Sequence, residues 1–123
     1  MTMKTLDTDI AALNLECISY KACRDEGWSL EKIDRIEREY RVFLQMLRLK
    51  DLYGLDSVAP TRDIDKYWHH HILDTSKYQD DCQSLFGGYI HHFPYSGVFG
   101  KEDAARQSER VQKTVCFINE YLQ

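Results

Sequence analysis

Apolar side chains recur every three or four residues along most of this chain, whereas the alternation expected of a β-strand is hard to find. In the first segment, about Asp7 to Arg24, such a stripe comprises Ile10, Leu13, Cys17 and Tyr20. A second, longer helix is predicted after Ser29, whose hydroxyl is suited to cap a helix N-terminus. One face of that helix carries Leu30, Ile33, Ile36, Tyr40, Phe43, Leu44 and Leu47.

Three further helices complete the predicted architecture. After a connector from Leu52 to Pro60, Thr61 opens a third helix that runs to about Leu73. A fourth helix starts near Ser76, and a last one starts at about Glu102 after a turn. Five helices with short links predict an all-α, bundle-like single domain of residues 1–123.

Composition excludes several classes of protein. At 123 residues the chain is long enough for one core and too short for two. A net charge of −4 argues against a nucleic-acid-binding face, and no apolar run approaches the roughly 20 residues of a membrane span. The N-terminus lacks an apolar signal core, which predicts a cytoplasmic protein. Four cysteines without a CxxC pair then indicate free thiols, not a disulfide framework or a zinc ribbon.

The histidines are the one compositional anomaly, because all five lie between His69 and His92. Asp65 and His69 are four residues apart, the spacing at which two side chains of one helix can bind one metal ion. His71 is about 200° around a regular helix from His69. The two could share an ion only on a distorted helix; otherwise one is a ligand and the other a packing residue.

The fourth helix contributes a second set of residues. A helical stripe continues straight through Gly87 and Gly88, which predicts a helix that reaches His92 and stops before Pro94. On this helix His92 faces inward and His91 outward. The inward set across two antiparallel helices is then Asp65, His69 and His92, with Cys82 and Tyr78 within reach.

Imidazole and carboxylate ligands suit Zn(II), Fe(II) or Mn(II), and participation of Cys82 would favour zinc. Two histidines with one carboxylate and open positions are also the pattern of non-haem iron sites. The segment contains no HExxH motif. The alternative is a metal-free network, in which the histidines cap helices, pack beside Trp68 and bond carboxylates.

Two further features admit two interpretations each. Cys82 beside His92 could form an activated nucleophile, although free cysteines are more often small core residues. An aromatic cluster could line a ligand pocket or belong to the core; it comprises Phe86, Tyr89, Phe93, Tyr95 and Phe99.

The histidine segment resembles the conserved block of the glycine-rich-domain-containing protein family. The resemblance covers roughly Asp63 to Tyr95 and consists of an acidic residue, Trp-His-x-His, a tyrosine, a glycine and a later histidine. These positions are Asp65, Trp68, His69, His71, Tyr78, Gly87 and His92. The resemblance implies that His71 matters as much as His69, but it implies no particular reaction.

The sequence therefore predicts a small cytoplasmic helical protein that binds a transition metal ion, with a catalytic or a stabilising role. The predicted ligands are Asp65, His69, His71, Cys82 and His92, and the predicted surroundings are Trp68, Tyr78, Tyr89, His91 and Tyr95. As a metalloenzyme it would act on a peptide or small molecule, with residues 95–99 as a lid. The alternative is a metal-free module with a buried Asp/Trp/His network that binds a protein partner.

Overall fold

The computed structural model describes residues 3–50 and 58–122, which form six helices and no strand. The predicted all-α fold is therefore confirmed. Most of the predicted connector, including Gly54, lies outside the described residues. The helices are α1 (Thr8–Ala11), α2 (Glu16–Glu26), α3 (Leu30–Leu49), α4 (Arg62–Leu73), α5 (Thr75–Phe86) and α6 (Lys101–Asn119).

The prediction of one continuous helix over about Asp7 to Arg24 is wrong, because the segment divides into the short α1 and the separate α2. The side-chain oxygen of Asn14 accepts a hydrogen bond from the Glu16 amide at 3.1 Å, which competes with helical pairing between the two elements. The break also changes which face is buried. Cys17 and Tyr20, expected on the apolar stripe, are exposed, and the buried residues are Ile10, Leu15, Ile18 and Ala22.

Two predicted helix starts are confirmed by their caps. The Ser29 hydroxyl accepts a hydrogen bond from the Lys32 amide at 3.1 Å, and the Thr61 hydroxyl accepts one from the Ile64 amide at 3.3 Å. Each side chain satisfies an amide that the first helical turn leaves without a backbone partner. These caps fix where α3 and α4 begin.

Helix α4 carries three of the five histidines and packs against α2, α3 and α5, so it is held from several sides. Its buried residues include Ile64, Tyr67 and Trp68, which join the apolar face of α3 in one core. Helix α6 packs on α3, and its buried Thr114 hydroxyl donates a hydrogen bond to the Ala59 carbonyl just before α4. Among the helices of the described residues, none is both long and apolar enough to cross a bilayer.

The prediction that the fourth helix reaches His92 is wrong. Helix α5 ends at Phe86, where Gly87 adopts a left-handed conformation with φ of 73° and its amide bonds the Gln83 carbonyl. Glycine takes this conformation without the steric cost of a Cβ atom, and it is the usual residue after a helix C-terminus. Residues 88–100 consequently form an irregular segment that leads to α6.

Candidate metal centre

Three side chains converge at the surface of α4. One Asp65 carboxylate oxygen lies 2.6 Å from His92 Nε2, and the other lies 3.4 Å from His69 Nε2. The two imidazole Nε2 atoms are 3.2 Å apart. One ligand atom from each residue therefore lies within 4.8 Å of the other two, and this group could hold a metal ion.

The chain brings these residues together in two ways. Asp65 and His69 lie one turn apart on α4, as their spacing predicts. His92 comes from the irregular segment after α5, which folds back over α4. The Trp68 ring packs against the His92 ring with centroids 4.5 Å apart, and this contact orients the imidazole towards Asp65.

A hydrogen-bonded chain anchors the segment that carries His92. The Trp68 indole N–H donates to the Tyr78 hydroxyl at 2.9 Å, and this hydroxyl donates to the Ile90 carbonyl at 2.6 Å. Burial raises the pKa of Tyr78 well above its ordinary value, so the phenol keeps the proton that it donates. Tyr78 thus fixes the backbone two residues before His92.

The geometry can be compared with that of a tetrahedral zinc site, where bonds of about 2.0–2.1 Å place neighbouring ligand atoms about 3.3 Å apart. The separations of 3.2 and 3.4 Å agree with this value, and the 2.6 Å contact between His92 and Asp65 is shorter. That contact has the length of a charge-assisted hydrogen bond, and it would lengthen by about 0.7 Å around an ion.

The proton on His92 decides how the contacts of this group can be made without a metal ion. If His92 Nε2 carries the proton for its short contact with Asp65, it has no lone pair to accept a hydrogen bond from His69. A metal ion would use all three atoms as electron-pair donors, which fits the contacts of His69 with His92 and Asp65, whereas the 2.6 Å contact between His92 and Asp65 has the length of a hydrogen bond.

A cleft of about 680 Å³ adjoins this group, and Asp65 and His92 are part of its wall. Its other side includes residues of α6 and of the irregular segment. Within that segment Phe93, Tyr95 and Phe99 are more than half exposed, so they line the cleft instead of filling a core. Its volume is in the range of small-molecule sites.

The structure does not bring His71 to this group. His71 is buried, and its Nε2 lies 2.7 Å from an Asp81 oxygen that also pairs with Lys77. Because a carboxylate only accepts, Nε2 carries the proton and Nδ1 accepts a hydrogen bond from the Tyr40 hydroxyl, also at 2.7 Å. Burial lowers the pKa of His71 even though Asp81 opposes the shift, so the ring is neutral and both nitrogens are engaged.

The other residues predicted to bind the metal ion or to surround it lie in the core or along the cleft. Cys82 is a buried core residue beside Tyr78, whereas His92 directs its Nε2 towards Asp65 and His69. Tyr89 packs edge-on against Tyr78 and His91, with ring centroids 5.3 and 4.7 Å apart. His91 and Tyr95 line the cleft.

His70 points away from the cleft, as its position on a helix predicts. Its Nδ1 lies 3.1 Å from the Lys21 ammonium, and its Nε2 lies 3.5 Å from a Glu26 oxygen. His70 therefore joins α4 to α2.

The partners of His71 were not predicted from the sequence. Tyr40 lies 31 residues away on α3, and no local spacing connects the two. Asp81 had a weak local signal, since Lys77 precedes it by four residues on α5.

The UCP032817-like family model matches residues 18–122. The chain belongs to the UCP032817-like family. The predicted resemblance to the glycine-rich-domain-containing protein family is therefore wrong, although the residues that suggested it include the convergent group. The match begins within α2 and extends past the end of α6, so it includes all three residues of the candidate metal centre. Neither a curated protein nor a solved structure matches the chain.

Proposed function

We propose that this protein binds one divalent transition metal ion through Asp65, His69 and His92. The observation that supports the proposal is the convergence of one carboxylate and two imidazole ligand atoms within 4.8 Å of one another. Zinc, ferrous iron and manganese all accept this ligand set. Neither His71 nor Cys82 is needed as a ligand, because their contacts lie elsewhere.

Three protein ligands leave at least one coordination position for water or for another molecule, as in catalytic metal sites. One carboxylate and two neutral imidazoles leave a divalent ion with a net charge of about +1, so the ion would attract an electron-rich ligand. The adjacent cleft offers space for that ligand. We infer a metal-dependent role towards a small molecule or peptide, and we assign no catalytic residue. The free thiols support a cytoplasmic location.

The direct test is a calorimetric titration of untagged protein, stripped with a chelator, with zinc, cobalt and manganese salts. We expect one equivalent of metal to bind. Asp65→Asn should weaken binding strongly, because an amide is a poorer ligand than a carboxylate. Asp63→Asn is the matched control: it removes the same charge from the same turn of α4, at a residue whose contact is a 3.8 Å ion pair with Lys32. Equal affinity of all three proteins, or binding by none, would contradict the proposal.

A second candidate function is a metal-free interaction module that presents the cleft to a protein partner. The 2.6 Å contact between Asp65 and His92 favours it, since this is the length of a charge-assisted hydrogen bond that forms without a metal ion. The same titration separates the two candidates, because a metal-free module shows neither heat of binding nor a rise in melting temperature with any of the three ions.

A further inference from the structure

The cleft beside the candidate metal centre has an excess of positive charge, although the whole chain has a net charge of −4. Its lining includes Lys50 at the end of α3, Arg62 at the start of α4 and Arg110 on α6. Within the described part of the chain, none of these three cations has an ion pair or a side-chain hydrogen bond. Three elements thus contribute cationic residues to one cleft, and among the described residues none of the three has an ion-pair partner.

The acidic residues of the cleft are already engaged. Asp65 contacts His69 and His92. Asp103 accepts a hydrogen bond from the Phe99 amide at 3.2 Å and lies 3.7 Å from the Arg106 guanidinium on its own helix. The acids therefore do not neutralise the cations across the cleft.

The positions of the cations place them close to the proposed metal ligands. Arg62 precedes Asp65 by three residues, so the two lie on the same side of α4 one turn apart. The Thr114 hydroxyl bonds the Ala59 carbonyl, which holds α6 against the start of α4 one turn from Arg110. An anionic group near Arg62 and Arg110 would consequently lie beside the metal centre.

The rest of the lining is aromatic and apolar. Trp68 is on the α4 side, and Phe93, Tyr95 and Phe99 come from the irregular segment. Phe93 and Phe99 are 64 % and 71 % exposed, which is a large exposure for phenylalanine and is expected of a surface that a ligand covers. Phe93 packs edge-on against Tyr95, so these rings form a continuous surface.

We propose that the cleft binds a small organic anion, with its carboxylate or phosphate on Arg62, Arg110 and Lys50 and its apolar body on the aromatic surface. Guanidinium groups bind both kinds of anion through paired hydrogen bonds. The proposal rests on the proposed function only in placing the metal ion beside the anionic group. The cations and rings are present whether or not the ion binds.

The test uses 3-phenylpropionate as the probe, with 3-phenylpropanol and 3-phenylpropylamine as neutral and cationic analogues of the same shape. Phenyl phosphate distinguishes a phosphate from a carboxylate site. Binding is followed by chemical-shift changes of backbone amides in chelator-treated and in zinc-loaded full-length protein. We expect the anions to bind at least about tenfold more tightly than the amine, and the amides of residues 90–99 to shift.

Charge-removing variants show where the anion binds. Arg62→Gln and Arg110→Gln should each weaken binding of 3-phenylpropionate about three- to tenfold. Arg38→Gln is the matched control, because Arg38 is exposed on α3 and does not line the cleft. The proposal is overturned if the amine binds as tightly as the anions, if Arg38→Gln has the same effect, or if no anion binds below about 10 mM.

The two proposals fail separately. If the stripped protein binds the anion and the calorimetric titration shows no zinc binding, the metal proposal fails and the anion site stands. If zinc binds and neither form of the protein takes up an anion, the anion site fails and the metal proposal stands.

Discussion

The three consecutive histidines of α4 have three different sets of partners. His69 faces Asp65 and His92, His70 contacts Lys21 and Glu26, and His71 is hydrogen-bonded to Tyr40 and Asp81. Successive residues of a helix point about 100° apart, so neighbours in sequence reach different sides of the molecule. Only the first of the three belongs to the candidate metal centre.

This separation gives a prediction for single substitutions. His69→Ala and His92→Ala should each remove most metal binding, since each deletes one of three ligands. His70→Ala should leave metal binding unchanged, because its contacts lie between α4 and α2. The measurement is metal content by elemental analysis, with circular dichroism to show that each variant is folded. Equal losses in all three variants would contradict the assignment of ligands, and loss of the fold in His69→Ala would indicate a structural site.

Contacts within one helix were predictable from the sequence, and contacts between distant elements were not. Asp65, His69 and the caps Ser29 and Thr61 were predictable because each depends on a spacing within one helix. His71 was not, because its partner Tyr40 comes from a distant helix. His92 was correctly predicted to lie with Asp65 and His69, but the helix predicted to carry it there does not exist. The apolar stripe continues across Gly87 in the sequence, whereas the backbone turns left-handed at Gly87 and ends the helix.

At the scale of secondary structure elements, the irregular segment depends on α5 for its position. The Tyr78 hydroxyl on α5 bonds the Ile90 carbonyl, and its ring packs against Tyr89. A group that orients a metal ligand typically changes metal affinity by about 10- to 100-fold when it is removed. Tyr78 therefore acts as a positioning residue for His92.

Tyr78→Phe should weaken metal affinity about tenfold while the ligand set and the stoichiometry remain unchanged. Tyr67→Phe is the matched control, since Tyr67 is also buried and its hydroxyl is hydrogen-bonded elsewhere, to Ser19 and to the Leu15 carbonyl. Both variants lose a buried hydrogen bond, so their melting temperatures should fall together. A drop in affinity common to both variants would show a general loss of stability and not a positioning role.

The N-terminal elements are held by Arg48 near the end of α3. Its guanidinium lies 2.8 Å from Asp7, 2.6 Å from Asp9 and 2.8 Å from the Leu85 carbonyl, so it joins α1, α3 and α5. A hydrogen bond from Gln45 and then one from Arg48 lower the pKa of Asp7, and Arg48 lowers the pKa of Asp9.

Arg48→Gln should reduce the free energy of unfolding by about 1 kcal/mol at neutral pH, a value kept small because both carboxylates are half exposed. The folded pKa values lie below the ordinary 3.8, so this stabilisation is complete above pH 3.8 and is lost as the pH falls through the folded values. Urea unfolding at a series of pH values measures the free energy of unfolding of both proteins. The difference in this free energy between Arg48→Gln and the unsubstituted protein should become smaller below about pH 4. Arg38→Gln, which removes an equal charge, should show no such trend.

At the scale of the whole molecule, the candidate metal centre lies outside the apolar core. The buried cluster runs through α2, α3, α4 and α5 and includes Ile118 and Tyr121, whereas His69 is exposed and Asp65 and His92 are partly exposed. A structural zinc site commonly supplies the folding energy of a small domain, but here the buried cluster is built without any of the three candidate ligands.

We therefore expect the metal-loaded protein to remain helical after chelation, with a melting temperature lower by roughly 5–10 °C. Circular dichroism and thermal melts with and without a chelator measure this. The cobalt-substituted protein should in addition change its visible spectrum on adding azide, because an open coordination position remains. Unfolding on chelation, together with a tetrahedral spectrum that azide does not alter, would mean a closed structural site.

The left-handed turn at Gly87 has a consequence for kinetics. Because α5 ends there, His92 lies on a stretch whose backbone can open without breaking helical hydrogen bonds. An ion bound by Asp65, His69 and His92 would then need at most local opening of residues 88–100 to dissociate, and not the far slower global unfolding. Amide hydrogens in this stretch should exchange with solvent well before those of α3. Exchange of the bound metal ion with metal in solution should likewise be much faster than global unfolding.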